Sequence, residues 1–93
     1  MEDMDIIISR ACEMCGVGVT EFLSPCRRRN LVVIREILTA YLHDERGMGW
    51  CELSRLFNRH HATIIHCYKS YHNDILDKDF KRKAETIINS LSL

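Results

Sequence analysis

Apolar residues recur three and four positions apart through almost the whole chain, and nowhere do they alternate with polar ones. That spacing is the period of a helix and not of a strand, so it confines the chain to helix-on-helix packing. Leu31, Ile34, Leu38, Tyr41 and Leu42 make the clearest stripe and predict a helix from about Arg29 to His43. Ile8, Ala11, Cys12 and Cys15 predict a first helix from about Met4, ended by Gly16. "GVGVTEFLSP" has room for one short helical turn carrying Val19, Phe22 and Leu23 before Pro25, and "DERGMG" reads as a turn or loop. Trp50, Leu53, Leu56 and Phe57 mark a short helix, and Ile64, Cys67, Tyr68 and Tyr71 another. Phe80, Ala84, Ile87, Ile88 and Leu91 mark a last one, opened by Asp77 or Asp79. The expected fold is all-α, a small bundle of five to six helices, with residues 1–93 as one domain.

Several function classes are excluded early. No window approaches the roughly 18 consecutive apolar residues of a membrane span, and "MEDMDIIISR" puts acids where a signal peptide carries positive charge. With five cysteines, an odd number, and no secretory signal, reduced thiols and a cytoplasmic location are expected. Glycine occurs only at positions 16, 18, 47 and 49, and no GxxxxGK[ST] loop is present to cradle a triphosphate, so neither a nucleotide nor another cofactor is expected. Cys12 and Cys15 form a C-x-x-C, but both lie on the apolar stripe of the first helix and no second pair follows at zinc-finger spacing. Buried thiols are expected there, with no metal. A cysteine–histidine nucleophile is allowed by composition, but nothing orients a third group, so the chain does not read as an enzyme.

Charge is balanced in total and uneven in place. Residues 1–26 set Arg10 against Glu2, Asp3, Asp5, Glu13 and Glu21, a net of −4. Residues 27–69 set Arg27, Arg28, Arg29, Arg35, Arg46, Arg55, Arg59 and Lys69 against Glu36, Asp44, Glu45 and Glu52, a net of +4, with four histidines besides. A basic middle between acidic and neutral ends is the asymmetry of a face that meets phosphate. Within that middle, only Asn58, Arg59 and His60 separate Phe57 from the next stripe, which is the connection of a helix-turn-helix with Asn58 able to close the first helix in the left-handed conformation. At about 100° per residue from Ile64, the second helix turns Lys69, Ala62 and His66 outward, near 140°, 160° and 200°. Thr63 and Ser70 flank them. Such a face suits a major groove, whose edges offer acceptors and thymine methyls.

"RHHATIIHC", preceded by "WCELSRLF" and "LSPCRRRNLVVIREILTAYL", resembles the C-terminal DNA-binding domain of the bacterial replication initiator DnaA over about residues 6–90. The resemblance implies that "RHHAT" opens a recognition helix read into the major groove and that an arginine of the "RRR" loop enters the adjacent minor groove. Arg59, His61 and Thr63 match that family's signature, and Ile64 stands for its valine. His60 replaces an aspartate, and Ala62 a threonine or serine. The site expected from residues and resemblance together is therefore Arg27, Arg28 and Arg29 on phosphates or in the minor groove, and Trp50 and Cys51 presenting a helix N-terminus to a phosphate. Arg59, His60, His61, Ala62 and Thr63 would read bases, with His66 and Lys69 further along the same face. The reading is a stand-alone module that binds double-stranded DNA in replication initiation or its regulation, possible partners including replication proteins. The other class open to it is a helical interaction module whose basic face meets an acidic protein.

Overall fold

The computed structural model describes residues 2–24 and 28–91 and contains six helices in this order: α1 (Glu2–Met14), α2 (Val19–Leu23), α3 (Arg29–Arg46), α4 (Trp50–Phe57), α5 (His61–Asp74) and α6 (Lys78–Leu91). Among the described residues there is no strand, and no helix is long and apolar enough to cross a membrane. The all-α bundle expected from periodicity is what forms.

Helix α3 is the axis. Every residue from Val33 to Leu42 is buried, so the helix is enclosed on all sides and not along one stripe. Helices α1, α5 and α6 pack on it, α4 packs on α5, and α1 also meets α2 and α6. The full enclosure takes in three polar side chains, Arg35, Glu36 and Thr39, that a stripe would have left in water. Arg35 is anchored on Phe22: its Nη2 donates to the Phe22 carbonyl at 3.1 Å and its guanidinium lies 5.5 Å from the centre of the Phe22 ring. Phe22 in turn meets Phe57 edge to face at 5.8 Å, which fixes α2 against α4.

The structure extends α3 three residues beyond the periodic pattern, so "DERGMG" is half helix: Asp44, Glu45 and Arg46 are helical, and only Gly47, Met48 and Gly49 form the loop. The stop comes from Gly47 at φ 67°, where the chain turns left-handed and the Met48 amide donates back to the Leu42 carbonyl at 3.1 Å. Asp44 is held in the helix by the Tyr68 hydroxyl, which donates to its Oδ1 at 2.8 Å and ties α5 to α3. Asp77, the first of the two candidate openers, caps α6 by accepting from the amides of Asp79 (2.9 Å) and Phe80 (3.0 Å). Cys12 sits in the core at 1% exposure, and burial there pushes its thiol up to about 11. Cys15 is half-buried beside it.

Candidate nucleic-acid interface

Helix α4 ends at Phe57 and α5 begins at His61, leaving a three-residue turn. Asn58 adopts φ 54° and ψ 49°, and the Arg59 amide donates to the Ser54 carbonyl at 2.9 Å, which completes the ending of α4. His60 then caps α5: its Nδ1 accepts from the Ala62 amide at 3.1 Å, so the ring carries its hydrogen on Nε2. An aspartate could accept the same bond, so the replacement of a carboxylate by imidazole keeps the cap while removing a negative charge from the helix start. The His61 ring stacks on His60 at 4.4 Å and 25°. Two imidazoles thus stand as a pair at the mouth of α5.

The inner face of α5 seats Ile64 and Cys67 in the core. On the outer face His61, Ala62, Thr63, His66 and Lys69 are all exposed. His66 Nε2 and Ser70 Oγ lie 3.4 Å apart along this face. Asn73 is exposed on it too, four residues beyond Lys69, and the same angular step that placed Ala62 outward places it there at about 180°. It belongs with the candidate residues.

The surrounding cations are less free than their number suggests. Arg27 lies outside the described residues. Arg28 is exposed but pairs with Glu21 at 3.0 Å, which fastens the start of α3 to α2. Arg29 reaches away toward α5, its Nη2 3.8 Å from Asp74 Oδ2 and its Nη1 4.0 Å from Glu36 Oε2. Glu36 is 3% exposed; burial first, then its hydrogen bond with the Asp74 carboxylate, raise its carboxyl to about 8. The shift favours the protonated form of Glu36, which lies beside Asp74 and Arg29. Arg59 is the most constrained of the set. Its Nη1 donates to the carbonyls of Asn58 (3.1 Å), Leu23 (3.3 Å) and Phe57 (3.4 Å), and its Nη2 to that of Ser24.

The start of α4 is also partly occupied. The Gly49 amide donates to Glu52 Oε1 at 3.2 Å, so a carboxylate of the helix itself stands at the N-terminus that Trp50 and Cys51 open. Trp50 is half-buried, stacked on His43 at 4.0 Å and edge-on to Tyr68 at 5.1 Å, while Cys51 is exposed. His43 is oriented by its Nδ1, which donates to the Met48 carbonyl at 2.8 Å. Among the described residues no group of three or more His, Cys, Asp or Glu side chains is placed to hold a metal ion.

The geometry is that of a helix-turn-helix, and the bacterial DnaA protein helix-turn-helix family matches this chain over residues 4–70. The chain belongs to that family. It is similar to the chromosomal replication initiator protein DnaA of Kosmotoga olearia, 27% identical over 99% of this chain and 21% of the relative. The DnaA of Thermomicrobium roseum is 32% identical over 67% of this chain and 14% of its own length, and that of Mycoplasma pneumoniae 27% over 96% and 20%. The chain spans between about a seventh and a fifth of the length of these DnaA relatives. No solved structure matches it.

Proposed function

We propose that this DnaA-family chain binds double-stranded DNA with sequence preference through α5, in the initiation of replication or its control. The observation that carries the reading is the outer face of α5, where His61, Ala62, Thr63, His66 and Lys69 are all exposed at the end of a three-residue turn. A helix entering a major groove needs that clearance at its N-terminal half. His61 and Thr63 present hydrogen-bonding groups to base edges, and Ala62 offers a methyl that suits a thymine C5-methyl. His60 stands beside them as the cap. Lys69 and His66, a turn or more further on, suit the phosphate backbone, as does Arg28 at the start of α3, and the sequence adds Arg27 to that role. Arg29, turned toward Asp74, is a weaker candidate for that role.

Trp50 and Cys51 bring the start of α4 to a phosphate only if Glu52 yields the Gly49 amide. The test is selection of bound sequences from a random duplex pool, followed by titration of the selected duplex across salt concentrations. A recovered common sequence and a steep loss of affinity with salt support the reading. Retention of no duplex, with binding instead to an acidic protein surface, replaces it with the interaction-module reading.

A further inference from the structure

We propose that Arg59, although it stands in the stretch that opens the recognition helix, makes no contact with DNA and acts as a positioning residue that braces α2 against the helix-turn-helix. The inference rests on the DNA-binding reading above and assigns one residue of that site a different task. Its guanidinium is engaged by carbonyls from two separate places in the chain: Leu23 and Ser24 at the end of α2, and Phe57 and Asn58 at the end of α4. Both places are helix C-termini, where terminal carbonyls and the negative ends of two helix dipoles converge. One planar cation with five fixed donors satisfies them together. A guanidinium whose two terminal nitrogens both turn to these carbonyls is not presented to a base edge.

What the brace positions is also visible. Helix α2 carries Glu21, which holds Arg28 at 3.0 Å, and the turn that Arg59 occupies leads directly into His60 and His61. Arg59 therefore fixes the distance between the cation at the start of α3 and the imidazoles at the start of α5. A duplex that is to meet both at once requires that distance to be constant.

Lysine at this position keeps the charge but cannot fork to four carbonyls, so Arg59→Lys separates a brace from a phosphate contact, and the spectra of the guanidinium with and without duplex separate it from a base contact. If Arg59 were a phosphate contact, the lysine variant would bind nearly as well as the parent. If it is a brace, the variant loses roughly tenfold or more in affinity for the selected duplex and Arg59→Lys gains nothing over Arg59→Ala. A double-mutant cycle with Arg28→Ala adds a readout that general loss of stability does not move: a brace makes the two effects on binding strongly non-additive, and independent contacts make them add. Nitrogen-15 spectra of the guanidinium supply an arm that needs no DNA. In the free protein its N–H protons should exchange slowly, and addition of duplex should leave their resonances in place. Rapid exchange in the free protein, a large shift on adding duplex, or full binding by Arg59→Lys would each overturn the proposal. Should the parent bind no duplex at all, the DNA-binding reading falls and the free-protein spectrum alone decides whether the brace exists.

Discussion

Replacing Glu36 by glutamine should make the protein more stable at high pH and leave it nearly unchanged at low pH. Glu36 is 3% exposed inside the α3 axis, hydrogen-bonded with Asp74, and raised from an ordinary value of 4.5 to about 8. Desolvation is the larger cause, the neighbouring Asp74 carboxylate the next, and the Arg29 guanidinium opposes both. Below pH 4.5 the carboxyl is protonated in the folded and unfolded chains alike, and its contribution is complete. As pH rises beyond that point the unfolded chain releases the proton while the folded one retains it, so stability falls, and the fall levels off only above about 8. Each unit of difference corresponds to about 1.4 kcal/mol, so the span between the two values amounts to a few kcal/mol, on the order of 3–5. Glutamine has the same shape, stays neutral throughout, and offers an amide to Asp74. Urea unfolding followed by far-ultraviolet circular dichroism at about pH 5, 7 and 9 measures the difference. The gap between Glu36→Gln and the parent should widen steadily with pH in favour of the variant. Parallel curves would show that Glu36 is ionised in the folded protein and that the reasoning is wrong.

Alanine at Arg27, Arg28 and Arg29 together should weaken binding to all duplexes alike and reduce the log–log salt slope by roughly one per lost phosphate contact; an unchanged slope removes these residues from the interface. Glu21→Gln should release Arg28 and lower affinity for the selected duplex by up to several-fold, since an exposed pair of this kind holds about 0–1 kcal/mol; tighter binding by the variant would mean that Glu21 competes for Arg28 and does not orient it. His60→Ala should cost about 1 kcal/mol of stability through loss of the α5 cap, and His60→Asp should restore it, both read from urea unfolding. Elemental analysis of the purified protein should find no stoichiometric zinc, with the helical signal unchanged by chelator; equimolar zinc would mean that Cys12 and Cys15 are ligands.

Which of these features the sequence announces follows from the range over which each acts. The helices and the three-residue turn are local: a stripe such as Leu31, Ile34, Leu38 declares its helix, and Asn58 declares the left-handed residue that ends α4. The outward placement of Ala62, His66 and Lys69 is equally local, because one angular step per residue suffices. The end of α3 was not legible in the same way. Asp44, Glu45 and Arg46 carry no apolar period, and their helical state is secured by Tyr68, twenty-four residues away, and by the turn at Gly47. Charge counting fails for the same reason. Arg35 is buried against Phe22, Arg28 is matched by Glu21, and Arg59 reaches carbonyls thirty-five and thirty-six residues back, none of which a local window connects. A basic middle segment was visible in the sequence; which of its cations remain free for a partner is a property of the folded chain.

Base reading by α5 is tested most directly by a binding titration of the parent and His61→Ala on the selected duplex and on a scrambled duplex of equal length and composition. His61 is exposed at the start of α5, stacked on the His60 cap. Loss of a reading contact should cost roughly 1–3 kcal/mol on the selected duplex and much less on the scrambled one, so that the ratio of the two affinities contracts. An equal loss on both would contradict the account, for it would make His61 a backbone contact and leave α5 without its reader.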